Sequence, residues 1–190
     1  GMPGDLKKTA SFLKKFNFKK AVFLDRDGVI NKDSGYVYKH SQINYINNIK
    51  KTIKLLNDNN FYVFVITNQS GVGRGYYSSK AVDLLHKKIN NDLIKQFGRV
   101  DEFVFAPYYK YSKMKFTNKD KLMRKPNTGM IDYLFNKWKI IKKESCIIGD
   151  SENDKNLASN CNINYFDVSK EIDLYLLLKK KLNLKNNSKF

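Results

Sequence analysis

Phe23-Leu24-Asp25-Arg26-Asp27-Gly28-Val29-Ile30-Asn31 is the stretch on which the reading of this chain turns. Ala21 and Val22 precede it, so four apolar residues in succession end on two carboxylates spaced i, i+2. A continuous apolar run is what a strand buried on both faces requires. Two aspartates directly beyond such a strand are costly unless something neutralises them. Helix caps or ordinary loop carboxylates are the plain alternative, and the rest of the chain weighs against it.

The same pattern recurs outward from this point. A second strand is expected at 61–66, stopping at Thr67-Asn68-Gln69-Ser70, and a third at 101–105. A fourth at 145–148 runs into Gly149-Asp150, and a short fifth is expected at 163–166. Helical spacing predicts helices near 46–59, 79–97, 128–138, 153–160 and 169–182, with Ser78-Ser79 as an N-cap and Gly98 as a terminator. Strands alternating with helices predict a mostly parallel sheet in a three-layer, Rossmann-like α/β domain. In such sheets the ligand crevice lies at the carboxyl ends of the strands. Asp25 and Asp27, the 67–70 cluster and Asp150 therefore converge on one site. Residues 107–125 read as an irregular lysine-rich loop. Residues 1–18 read as a basic amphipathic extension packed on the domain, and 183–190 as a frayed tail.

The totals narrow the class. A length of 190 residues suits one domain, 1–190, and 42% hydrophobic content argues against disorder. The apolar runs are strand-sized, no signal-peptide core is visible, and a cytoplasmic location without membrane insertion is expected. Cys146 and Cys161 make no disulfide framework and read as buried thiols. The net charge of +18 invites a nucleic-acid partner. Yet only four of the 36 basic residues are arginine, and lysine runs the whole length beside asparagine, which reads as a compositional bias. Nucleic acid is therefore not the expected partner, and a monomer is.

Three hard oxygen donors from Asp25, Asp27 and Asp150 suit Mg²⁺, which takes few protein ligands and keeps waters. Opposite them Thr67, Asn68 and Ser70 offer small donors, and Arg124 and Lys125 add positive charge. Phosphoryl transfer needs this set: a nucleophile, a cation and fixed donors for the phosphoryl oxygens. Three of the four arginines, Arg26, Arg74 and Arg124, fall inside the candidate motifs, where a planar fork matches phosphate. Gly71, Gly73 and Gly75 have the wrong spacing for a nucleotide-binding loop and read as a strand-to-helix turn. His40 and His86 have no ligand pattern and read as surface or helix-face residues.

Five strings, DRDGVIN (25–31), DSGYVY (33–38), TNQSGVGRGYY (67–77), RKPNTGM (124–130) and IGDSENDKNLA (148–158), resemble the haloacid dehalogenase superfamily. Within it the chain is similar to the heptose 1,7-bisphosphate 7-phosphatases and histidinol-phosphate phosphatases, over about 21–166. The resemblance implies that Asp25 attacks phosphorus to give an aspartyl-phosphate, while Asp27 protonates the leaving group and then activates water. It implies Mg²⁺ held by Asp25, the Asp27 carbonyl and Asp150. It also implies phosphoryl oxygens on Thr67 and Lys125, and substrate contacts from Asp33, Ser34, Gly35, Tyr36, Thr67, Asn68, Gln69, Ser70, Arg124 and Lys125. DSGY fits the heptose enzymes better than the histidinol pattern, so a small phosphorylated sugar destined for surface polysaccharide is the expected substrate. Polynucleotide 3′-phosphatases share the superfamily and stand as the alternative beside histidinol phosphate. The intervals Asp27–Thr67 and Thr67–Lys125 leave no room for a cap domain. Close relatives carry a C-x-H…C-x-C zinc loop, whereas the corresponding positions here are Ala106, Tyr108, Lys121 and Met123. No zinc is expected, and packing of Tyr108, Tyr109 and Tyr111 is expected to hold the loop 107–123 instead.

Overall fold

Five parallel strands form the core of the computed structural model, which describes residues 18–168 and 173–186. They are β1 (Ala21–Leu24), β2 (Tyr62–Asn68), β3 (Glu102–Ala106), β4 (Cys146–Gly149) and β5 (Asn164–Asp167), in the spatial order β3-β2-β1-β4-β5. The helices are α1 (Ile49–Asp58), α2 (Ser70–Gly73), α3 (Ser79–Ile94), α4 (Asn118–Met123), α5 (Gly129–Lys137), α6 (Glu152–Cys161) and α7 (Leu174–Lys181).

β1 explains the layering. Successive side chains of a strand point to opposite faces, so an uninterrupted apolar strand feeds two cores. Val22 and Leu24 join Ile53, Leu56, Leu85, Ile89 and Leu178 from α1, α3 and α7. Ala21 and Phe23 join Met130, Leu134, Leu157 and Cys161 from α5 and α6. Phe23 stacks on Phe64 of β2 with ring centroids 5.5 Å apart. Both cysteines are buried and free, and burial pushes the Cys146 thiol up to about 12 and that of Cys161 up to about 11.

The strand order positions the site. The chain builds β1, steps outward through β2 to β3, then returns across β1 to lay down β4 and β5. Neighbouring strands β1 and β4 thus carry connections that diverge, which opens a crevice at their carboxyl ends. Asp25 leaves β1 and Asp150 leaves β4 at that point, joined by the hydrogen bond from the Asp25 amide to the Ile148 carbonyl at 2.9 Å. Among the described residues no further domain is inserted on either side of Thr67, as the spacing predicts.

Two expectations change and one narrows. The stretch 107–125 is not wholly irregular: Thr117 caps α4 by accepting from the Asp120 amide, and Asp120 returns the bond to the Thr117 amide. Such a reciprocal cap satisfies two otherwise orphaned donors. Of the two readings of His86, surface or helix face, the helix-face one holds: it lies on the buried face of α3, its ring stacked on Phe103 at 4.7 Å. Of the tail expected to fray over 183–190, the part 183–186 returns to the first core, where Leu184 is buried and Asn59 brackets Lys185 with two main-chain bonds, and 187–190 lie outside the described residues. The N-terminal extension up to 17 and the helix start at 169–172 lie outside the described residues.

Candidate active site

Gly28 decides how close the two acidic segments come. Its φ is +84°, and a Cβ there would lie 1.8 Å from Asp150 Oδ2. Only glycine accepts both that backbone and that approach. The turn after β1 closes by bonds from the Ile30 and Asn31 amides to the Arg26 carbonyl, at 2.8 and 3.2 Å.

Asp25 lines a cavity of about 310 Å³. Its Oδ1 accepts from the Arg26 amide at 2.6 Å and from Lys125 Nζ at 3.0 Å. Lys125, itself buried, also reaches Asp154 Oδ1 at 2.6 Å. Burial pushes the Asp25 carboxyl up to about 7, Lys125 opposes this, and Asp154 adds to it. Asp150 is raised by burial and then by the charge on Asp154. Burial works against the charge of Lys125, but Asp25 and Asp154 outweigh it and its pKa is raised.

Oxygens of Asp25, Asp150 and Asp154 all lie within 4.8 Å of one another. Lys125 contacts two of the three carboxylates, Asp25 and Asp154, and burial pushes Asp25 and Asp150 up. A hard divalent cation fits this donor set. Asp154, fully buried and held by Lys125 and the Ser151 hydroxyl, backs the cluster, while Asp25 and Asp150 face the cavity. Sequence reasoning missed Asp154; its signal is the i+4 spacing from Asp150 at the start of α6.

The Asp27 carboxylate stands outside that acidic group but on the wall of the same cavity, engaged by other side chains. Oδ1 accepts from Arg26 Nε at 3.2 Å and Asn31 Nδ2 at 2.9 Å. Oδ2 accepts from Arg26 Nη2 and Gln69 Nε2, both at 2.9 Å. Arg26 is fully buried, and its guanidinium also meets the Val37 carbonyl and His86 Nε2.

Asp33, Gly35, Tyr36, Thr67, Asn68, Gln69, Ser70, Arg124, Lys125 and Asp150 line the same cavity with Asp25 and Asp27. Ser34 does not line it. Two of these side chains are engaged with the protein rather than turned to a ligand. Asn68 makes a pair of bonds with the Lys125 main chain, at 3.0 and 3.1 Å. The Gln69 amide is spent on Asp27 and Thr67. Since the Thr67 hydroxyl accepts from Gln69, its O–H remains free to donate. Tyr77, Ser151 and Asn153 also line the cavity; they fall inside the strings 67–77 and 148–158, but no site role was expected of them.

The loop 107–123 is held by rings and cations. Arg74 sits 3.7 Å over the Tyr109 ring, Tyr109 meets Tyr111, and Tyr108 meets Phe116. Arg124 Nη1 donates to the Tyr108 carbonyl at 3.2 Å, tying the loop to the cavity wall.

The family described as polynucleotide kinase 3 phosphatase matches residues 20–180. A D-glycero-beta-D-manno-heptose-1,7-bisphosphate 7-phosphatase of Rhodopseudomonas palustris is 37% identical over 157 residues, covering 82% of this chain and 87% of its own. The chain belongs to the haloacid dehalogenase-like phosphatases. A D-glycero-alpha-D-manno-heptose-1,7-bisphosphate 7-phosphatase of Photorhabdus laumondii is 36% identical, covering 71% of this phosphatase and 74% of its own length. Among solved structures, a HAD-like phosphatase from Mesorhizobium loti superposes with a TM-score of 0.73 at 27% identity, covering 81% of this chain and 74% of that one. The D,D-heptose 1,7-bisphosphate phosphatase from B. bronchiseptica, complexed with magnesium and phosphate, gives 0.69 at 26% identity over 78% and 79%. Among the described residues of this phosphatase, no helix is long and apolar enough to cross a membrane.

Proposed function

We propose that this phosphatase removes the C7 phosphate of D-glycero-D-manno-heptose 1,7-bisphosphate in a magnesium-dependent reaction through an aspartyl-phosphate on Asp25. The observation that carries the chemistry is Asp25 in the cavity lining, 3.0 Å from Lys125 and grouped with Asp150 and Asp154. The substrate reading is supported by the names of the 36–37% identical relatives and by the DSGY segment on the cavity wall. Residues Asp33, Gly35, Tyr36 and Arg124 are the ones proposed to contact the sugar.

Asp25 attacks phosphorus, and the bond to the leaving sugar oxygen breaks as that oxygen takes a proton from Asp27. Water then attacks the aspartyl-phosphate, giving its proton to Asp27 and releasing phosphate with Asp25 restored. Lys125 and the Thr67 hydroxyl hold the phosphoryl oxygens. A magnesium ion on Asp25, Asp150 and the Asp27 carbonyl would supply charge neutralisation for the transferring group.

The test is phosphate release with Mg²⁺ from heptose 1,7-bisphosphate, histidinol phosphate and a 3′-phosphorylated oligonucleotide. Preference for the oligonucleotide, with turnover falling steeply as salt rises, would overturn the sugar reading. Asp25→Asn is expected to abolish release without lowering the melting temperature, because burial already disfavours the Asp25 charge. Retained turnover in that variant would sink the covalent mechanism.

A further inference from the structure

Tyr77 lies over the backbone of Gly71, where a Cβ would come 2.4 Å from its ring. That absence of a side chain lets the phenol reach inward, and its hydroxyl donates to Gln69 Oε1 at 3.0 Å. Burial pushes the Tyr77 hydroxyl up to about 12, so it keeps the proton it donates.

Gln69 is buried, and its amide has one accepting end and one donating end. Nε2 donates to Asp27 Oδ2 at 2.9 Å and to Thr67 Oγ1 at 3.0 Å. A reversed amide would set Oε1 against the Asp27 carboxylate, two acceptors facing each other. The carboxylate therefore sets the amide's sense, and Tyr77 holds it there by donating to Oε1. On its other side the Tyr77 ring stacks on Tyr38, centroids 4.8 Å apart and planes 13° apart. Tyr38 closes the segment whose Asp33, Gly35 and Tyr36 line the cavity.

We propose that Tyr77 is a positioning residue for Asp27, acting through Gln69, and that its stack on Tyr38 registers the substrate-facing loop 33–38 with the proton-transferring carboxylate. This rests on the reading of Asp27 as the group that protonates the leaving oxygen. The consequence is a defect in turnover rather than in binding. Removing one neutral hydrogen bond that aims a reacting group should lower kcat roughly tenfold, leaving KM nearly unchanged.

The experiment is a double-mutant cycle on the full chain with Mg²⁺, using Tyr77→Phe, Gln69→Ala and both together. It is assayed on any alkyl phosphate the wild type hydrolyses, so failure of the heptose assignment alone does not disturb it. Phe keeps the ring over Gly71 and the stack on Tyr38. Expected is a lower kcat for Tyr77→Phe at unchanged melting temperature, and no further loss when it is added to Gln69→Ala. The drop should shrink for p-nitrophenyl phosphate, whose leaving group needs little protonation. Losses that multiply in the double variant, or a rise in KM with kcat intact, would overturn the proposal. If Asp25→Asn stays active the parent mechanism fails on its own, whatever the cycle gives.

Discussion

Lys125 is the residue on which the site's electrostatics rest. It faces Asp25 and Asp154, all three largely removed from water. Removing one partner of a buried ionic group leaves the others uncompensated, at a cost of about 3–5 kcal/mol. Lys125→Met should show that loss in urea unfolding, and a cation on Asp25 and Asp150 should restore part of it; the melting temperature with and without Mg²⁺ reads this directly. Gly28→Ala should abolish turnover and Mg²⁺-induced stabilisation together, since the new methyl group occupies the place of the Asp150 carboxylate. His86 gives a pH signature. Burial, then the neighbouring Arg26, lowers its pKa from 6.5 to about 3. Below 6.5 the unfolded chain therefore takes the proton first, so this contribution to stability is present above 6.5 and lost as pH falls toward 3. His86→Gln, which retains an acceptor for Arg26, should flatten that dependence when unfolding is followed across the window.

At the scale of the elements, β1 and the loop 107–123 behave differently. β1 is dictated by its own residues, four apolar side chains serving two cores, and Phe23→Ala should cost about 3–5 kcal/mol in equilibrium unfolding. The loop has no such internal rule. Tyr108, Lys121 and Met123 offer no thiolate or imidazole, and order comes from partners far along the chain: Arg74 on Tyr109, Arg124 on the Tyr108 carbonyl, and the Thr117–Asp120 cap of α4. Tyr109→Ala is expected to speed proteolytic cleavage within 107–123 and to raise KM, with kcat little changed, because Arg124 carries the coupling to the cavity. A zinc chelator should leave the cleavage rate of the wild type unaltered.

The whole molecule is a parallel sheet whose connections diverge between β1 and β4, and that divergence makes the crevice. Its +18 charge acts on encounter rather than on chemistry. For an anionic sugar phosphate, kcat/KM should fall several-fold as salt screens the surface, while kcat stays constant. A kcat that fell in parallel would place the salt effect on the site itself.

Sequence alone determined the alternation of strands and helices, their ends to within a few residues, and the three acidic and polar clusters that follow strand ends. These are local properties, set by apolar runs, periodicity and short spacings. It also carried the resemblance through which Asp25, Asp27 and Asp150 acquire their expected roles. Only the tertiary structure decided what each side chain spends its hydrogen bonds on. Asp154 enters the acidic cluster, Asn68 clamps the Lys125 main chain, Gln69 and Tyr77 line up behind Asp27, and His86 sits buried against Arg26. Each of these brings together segments far apart along the chain, and their meeting depends on the order in which β1, β2 and β4 are laid side by side. A spacing along the chain does not encode that order, whereas burial of both faces of β1 enforces it.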